Sequence, residues 1–314
     1  MEMKSETRGV SEKRIGVGYA LAAYGTWGLL PLFWKTLNEV PAVQILAHRF
    51  FWSFVYVGIL ITITKQKGKV KEVLLAPKTL LLFLTSSLLL TANWGIYIWA
   101  NNNNHIIETS LGYFINPLVS VLLGMIFLKE KINFWQALSV FLAALGVLYM
   151  VFQYGRFPWI SLALAVSFGF YGLIRKVVPV ESLTGLLIET GFLAPVALIF
   201  IVLLGVEGKG FFFTGGIKVS FLLMIAGVIT AYPLIWLVNG AKKLPLKTVG
   251  FCQYLAPTLM LLIGVGVYHE PLTEMHLVSF AFIWSALLIY SLSNTSFMQK
   301  GNPLAIIIER RGRM

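Results

Sequence analysis

PLVSVLLGMIFLKE, residues 117–130, and PTLMLLIGVGVYHE, residues 257–270, share one skeleton: Pro, six residues, Gly, five residues, Glu. The copies stand 140 residues apart. Upstream, SLGYF (Ser110 to Phe114) is echoed by TVGFC (Thr248 to Cys252) at a separation of 138, so the second copy carries two extra residues between its Gly and its Pro. A fainter echo pairs Trp27-Gly28 with Tyr171-Gly172. Whether this is a repeat depends on where the two copies fall among the helices of the chain.

The chain has 314 residues, 58% hydrophobic and 12% charged, with a mean hydropathy of +0.80. A soluble domain is about a quarter charged and no more than half apolar, so this composition specifies an all-α integral membrane protein. Crossing the hydrocarbon core takes about 20 residues of helix. Apolar windows of that length run over 15–35, 41–64, 79–100, 108–128, 133–152, 158–175, 182–204, 218–240, 247–268 and 273–293, which makes ten spans.

Lys and Arg residues test that count, because they concentrate in cytoplasmic loops. With the N-terminus inside, the cytoplasmic segments, Arg175 and Lys176 among them, hold 20 of the 25 basic residues. The opposite side holds 4, and Arg49 lies within a span. The net charge of +12 is thus distributed as short clusters between apolar runs, which speaks for a bilayer and against a nucleic-acid face. Both termini are expected in the cytoplasm.

The two copies fall on the fourth and ninth spans. Five helices is an odd number, so the second copy is inverted in the membrane, with Glu130 cytoplasmic and Glu270 external. The expected organisation is a cytoplasmic tail over 1–14, a first repeat over 15–152, a second over 158–293 and a second tail over 294–314. Inverted repeats that meet near the bilayer midplane are characteristic of secondary transporters.

At this point the chain resembles the RarD family of EamA-type permeases, within the drug/metabolite transporter superfamily. The residues that carry the resemblance are GYALAAYGTWGLLPLFWK (18–35), VQILAHRFFWSF (43–54), SFGFYGLIRK (167–176), TGLLIET (184–190), FCQYLAPTLM (251–260) and the long run over 93–131 that contains ETSLGYFINPL. The similarity spans residues 16–293. It implies ten helices in two EamA repeats, a plasma-membrane location and the movement of a small molecule. The family's association with chloramphenicol sensitivity names a phenotype and leaves the transported compound open.

A charge at the bilayer centre costs at least about 2.5 kcal/mol on insertion scales, so intramembrane ionisable residues are functional candidates. Two lie well inside spans. Arg49 is eight residues past Pro41 and Glu189 seven past Ser182, each about 10 to 12 Å deep from opposite faces. They too stand 140 apart. The expectation is one central cavity in which Arg49 holds an anionic group and Glu189 balances its charge or takes up a proton; the alternative is a structural ion pair between the second and seventh spans.

Asn93, Asn116, Gln253, Gln44 and Asn239 are uncharged polar groups inside spans, suited either to interhelical hydrogen bonds or to a wet cavity. Among aromatics able to stack on a substrate, Trp94, Tyr113 and Tyr254 are retained as site candidates, while Trp27, Tyr97 and Trp99 are read as interfacial anchors. His48, one residue before Arg49, points about 100° away and reads as a packing residue. Asn101 to His105 reads as a cap for the fourth span, and Glu108, Thr109 and Ser110 as acceptors at its start. Gly112 permits close approach of a neighbouring helix. Pro117 and Pro257 are expected to kink or break their helices where these line the path; the alternative is that the bends merely seat the two repeats against each other.

A single cysteine, Cys252, excludes a disulfide framework, and all 13 acidic residues are Glu, so neither a Cys-based metal site nor an Asp cluster can form. No zinc-protease, nucleophile-elbow or Walker motif occurs. The expectation is a permease without cofactor or metal, driven by an ion gradient, protons included, or by the solute's own gradient. The competing reading is a non-transporting membrane sensor or scaffold.

Overall fold

A computed structural model of the chain describes residues 2–102, 105–155, 157–269 and 274–293, with 295 and 298. Its helices are α1 (Glu2–Trp34), α2 (Ala42–Ile63), α3 (Lys67–Leu74), α4 (Pro77–Asn102), α5 (Ile106–Phe127), α6 (Phe134–Tyr154), α7 (Trp159–Val177), α8 (Ser182–Val206), α9 (Phe211–Thr214), α10 (Gly216–Lys243), α11 (Leu246–Gln253), α12 (Leu255–Gly266) and α13 (Glu274–Leu292). No strand occurs among the described residues. Ten segments are long and apolar enough to cross a membrane, with α11 and α12 together forming the ninth. Their ends fall within a few residues of the sequence windows, except that α1 begins at Glu2. The charged stretch before residue 15 is built largely of Glu, Lys, Arg, Met and Ser, which continue a helix readily.

The bundle is apolar on the outside. Ile217, Val206 and Phe152 are 91%, 83% and 79% exposed, as a lipid-facing surface requires. Inside, small residues let backbones meet. A Cβ on Gly240 would lie 3.1 Å from the Gly16 carbonyl, where α10 crosses α1.

The helix neighbours come in matched sets. α1 packs on α10 as α7 packs on α4; α5 packs on α7 as α12 and α11 pack on α1; α2 packs on α10 as α8 packs on α4. The pairs α2 with α8, α5 with α11 and α6 with α13 join equivalent spans of the two halves. Exchanging the first five spans for the last five leaves this pattern unchanged. The short helices α3 and α9 also follow the second span of each half.

The fourth and ninth spans differ. Pro117 lies inside an unbroken α5, whereas the ninth span turns at Tyr254, where Tyr254 N donates to the Phe251 carbonyl at 3.3 Å. The expected break is therefore present before Pro257 and absent at Pro117. The turn is local: Tyr254 keeps right-handed helical dihedrals and joins α11 directly to α12. Gly250, on α11, packs on α5, where its Cβ would meet the Pro117 carbonyl at 2.8 Å. Gly112 makes the matching close approach to α7, facing Ser161 O at 3.2 Å.

Glu108 hydrogen-bonds the His105 ring (3.0 Å), while its backbone carbonyl accepts from Ser161 Oγ (2.6 Å). His105, the N-cap residue of α5, makes no side-chain cap hydrogen bond. Asn101 and Asn102 end α4; Asn103, Asn104 and Glu270 lie outside the described residues. Glu130, at the other end of α5, caps α11: its carboxylate accepts from Leu246 N at 2.5 Å and Lys247 N at 3.0 Å.

Candidate functional site

The residues of α1, α2, α4, α5, α7 and α12 that surround Arg49 enclose a cavity of about 340 Å³. Arg49 projects from α2 because Nε donates to Thr230 Oγ1 on α10 at 2.9 Å. That hydroxyl in turn donates to Ala226 O at 2.7 Å, which fixes its lone pair toward the arginine. The guanidinium carbon stands 4.2 Å from the Trp94 ring centroid and 5.0 Å from that of Trp34. Two indoles thus hold the cation through their negative faces. No carboxylate lies within ion-pair distance of Arg49 among the described residues.

Polar groups line the rest of the cavity. Asn93 Nδ2 donates to Leu164 O (2.8 Å) and Ser167 Oγ (3.0 Å), which ties α4 to α7. Asn116 Oδ1 and Gln253 Oε1 are buried and accept no hydrogen bond. Tyr113 faces Tyr97 at 6.0 Å between ring centroids. Pro117 and Pro257 lack the N–H groups that the carbonyls of Tyr113 and Gln253 would accept in a regular helix, and both of those residues line the cavity. A site with one unpaired cation, free carbonyl acceptors and aromatic walls is fitted to a small organic anion that carries its own donors.

Of the sequence candidates, Arg49, Asn93, Trp94, Tyr113, Asn116, Gln253 and Pro257 line this cavity. Pro117 does not; it seats α5 against α11. Tyr254 is 1% exposed and packs on Phe251 in a separate cluster with Tyr290. Tyr24, Trp27, Trp34, Tyr97 and Phe168 line the cavity without having been retained as candidates. Trp27 and Tyr97 lie toward span ends, where aromatics commonly anchor at the interface, yet here they face the cavity. Trp99 does stack at the bundle edge, on His105 and Trp159.

Glu189 departs from its expected place. It does not line the cavity, and neither the shared site with Arg49 nor an Arg49–Glu189 ion pair is formed. Its carboxylate accepts from Ser86 Oγ on α4 at 2.5 Å and lies 3.5 Å from Nε of Arg175. Arg175, assigned from sequence to a cytoplasmic loop, is 1% exposed in the last turn of α7. Removing it leaves a basic tally of 19 against 4, so the orientation argument is unaffected. The two halves still correspond: Arg49 bonds a hydroxyl on α10, and Glu189 bonds one on α4.

The remaining polar candidates are structural. Gln44 donates to Lys209 O (3.0 Å) and accepts from Phe211 N (3.0 Å), which holds the start of α9. Asn239 accepts from Ser182 Oγ at 2.8 Å. His48 accepts from Trp52 Nε1 at 3.2 Å and stacks on Phe212, as a packing residue does.

Comparison with known proteins accords with this architecture. An EamA-like transporter family model matches residues 14–152. Protein RarD of Salmonella typhi is 46% identical over 279 residues, covering 89% of this chain and 95% of its own. The uncharacterized transporter YojE of Bacillus subtilis (strain 168) is 45% identical over 291 residues, covering 91% and 97%. A crystal structure of another protein superimposes with a TM-score of 0.65 at 17% identity, over 90% of this chain and 97% of that one, a likeness of fold alone. The chain therefore belongs to the RarD family of EamA-type membrane transporters.

Proposed function

We propose that the protein is a plasma-membrane secondary transporter that moves a small organic anion by alternating access, with the cavity around Arg49 as its substrate site. The observation that carries the reading is the guanidinium without a counter-ion between Trp34 and Trp94 in a cavity of about 340 Å³. A cation held this deep without a counter-ion is expensive, and an anionic solute supplies the missing partner. Arg also offers a planar fork that matches a carboxylate in two parallel hydrogen bonds.

Two inverted repeats, over 15–152 and 158–293, account for the matched helix neighbours and for alternation between two open faces. With both termini cytoplasmic, the Arg49 cavity opens toward the exterior, because it includes Trp34 and Ala42 at the first external turn. Its counterpart toward the cytoplasm is a closed space of about 10 Å³ lined by Gly172, Arg175, Val238 and Ala241. Tyr24, Phe168 and Gln253 border both spaces and form the septum between them. The state is outward-facing. Glu189 sits on the cytoplasmic side of that septum, where a titrating carboxylate can couple solute movement to a proton.

Uptake and efflux of a panel of organic acids in proteoliposomes, with and without a pH gradient, test this. Flux of at least one acid that Arg49→Gln abolishes in folded protein is the expected result. Unchanged flux in that variant would reject the site, and no flux for any solute would favour a sensor.

A further inference from the structure

The closed cytoplasmic space contains a second arginine whose bonding is incomplete. Arg175 is 1% exposed, yet only its Nη2 donates, to Ser182 O at 3.1 Å. Nε and Nη1 make no aligned hydrogen bond, and neither does Glu189 Oε2; the buried Tyr171 hydroxyl lies close enough to interact with both Arg175 and Glu189 and is itself without an aligned partner. The contact between Arg175 Nε and Glu189 Oε1 is 3.5 Å without hydrogen-bond alignment. A buried ion pair is stabilising only when its remaining donors and lone pairs are also satisfied. This one leaves three polar atoms unpaired, so it is a poor lock.

Its surroundings are nonetheless shaped for the guanidinium. The group lies against the Phe83 ring at 5.1 Å, and Gly185 provides the notch: a Cβ there would stand 2.0 Å from Nη1. Arg175 follows the septum residue Phe168 by seven positions on α7, about 10 Å along the helix. An anion that leaves Arg49 and passes the septum therefore meets another guanidinium within reach.

Building on the reading of Arg49 as an anion anchor, we infer that Arg175 is a second binding site for the solute's anionic group, on the cytoplasmic side, and that Glu189 occupies it when that side is closed. Solute carboxylate and Glu189 compete for the same fork. A carboxylate that displaces Glu189 takes Nε with Nη2 side-on or Nη1 with Nη2 end-on, and so supplies a partner to one of the nitrogens now unpaired. Glu189 keeps its bond from Ser86 and becomes available for a proton. The two arginines thus serve as successive stations for one charge, and Glu189 is the occupant that must be moved between them.

The test uses purified full-length protein and a panel of aryl carboxylates, benzoate and indole-3-carboxylate among them, with binding measured by titration calorimetry. Loss of a buried charge partner is expected to weaken binding at least about tenfold in Arg49→Gln. Adding Glu189→Gln to that variant frees Arg175 and restores binding to within about threefold of the original. A further Arg175→Gln removes it again. If the double variant stays folded and binds as weakly as Arg49→Gln, the second site is overturned while the Arg49 reading stands. If the unmodified protein binds no panel member, or Arg49→Gln binds as well as it does, the Arg49 reading falls and the inference falls with it. Glu189→Asp, which keeps the charge and retracts the carboxylate by one methylene, serves where Gln disrupts folding; partial recovery supports the competition and none refutes it.

Discussion

On the orientation proposed above, Glu130 offers a direct measure of how firmly the cytoplasmic side is closed. Its carboxylate accepts from Leu246 N (2.5 Å) and Lys247 N (3.0 Å), so the end of α5 is tied to the first turn of α11. Glu130→Gln retains one acceptor oxygen and loses one hydrogen bond together with the charge at a helix N-terminus. A hydrogen bond to a charged group contributes about 1.5 to 3 kcal/mol and the helix-end charge about 0.3 to 1. Because the side chain is half-buried and water can replace part of this, the net loss is about 1 to 2 kcal/mol, a factor of about 5 to 30 in an equilibrium. If the tie forms only while the cytoplasmic side is closed, that factor appears as increased opening. A reporter at Val238, which is 1% exposed and lines the closed space, reads it: Val238→Cys in a Cys252→Ser background, alkylated by a membrane-impermeant maleimide. Glu130→Gln is expected to accelerate labelling about 5- to 30-fold. Labelling unchanged within about twofold would show that the Glu130 tie does not hold the side shut.

The other predictions concern single contacts. Arg49→Lys retains charge but cannot lie flat between Trp34 and Trp94 while bonding Thr230, so anion binding should fall about tenfold in calorimetry; affinity equal to the original would show that the aromatic clamp is irrelevant. Gly185→Ala places a Cβ 2.0 Å from Arg175 Nη1 and 2.7 Å from the Phe83 ring. It should destabilise the purified protein by about 1 to 3 kcal/mol in thermal or denaturant unfolding, and a neutral result would contradict the tight seating of Arg175. Asn133 and Gln136 form a capping box at the start of α6. Asn133→Ala should cost about 1 kcal/mol with no change in anion affinity, and an altered affinity would be evidence of coupling absent from the account above.

The ten spans are legible in the sequence because a bilayer imposes one length on every helix, and Lys and Arg positions provide an independent count. Arg49 is legible for the same reason, as a charge far from either end of its span. Arg175 is not, because it precedes Lys176 at the last turn of a short span, where a basic pair reads as the edge of a loop. Only the three-dimensional notch at Gly185, which comes from the next helix, draws it inward. Trp27 and Tyr97 were set aside by the rule that aromatics near span ends anchor at the interface. That rule fails where a cavity reaches toward the span end, and depth along one helix does not reveal which face it presents. The partner of Glu189 was misassigned by its spacing from Arg49. If the two halves are inverted repeats, as proposed, equivalent places lie on opposite sides of the midplane, and equal spacing separates the two residues instead of joining them.

The difference between the copies also constrains how the cavity can close. A bend produced by a proline alone could pass from one half to the other as the protein changes state. On the proposed mechanism the turn at Tyr254, which has no counterpart in α5, is a fixed feature of both states. What remains free to move is the orientation of the helices around it. Gly250 sits against the Pro117 carbonyl immediately before that turn, and Gln253, the last residue of α11, lies in the septum. Rocking about the α5–α11 contact then swings α12, which carries Pro257 and Met260 of the cavity wall, toward or away from Arg49 without unwinding any helix. The same motion shifts Tyr24 and Phe168 relative to Gln253, because α1 packs on α12 and α7 on α5. On the proposed alternating-access reading, closure of the outer cavity and opening of the septum are thereby linked through one pivot.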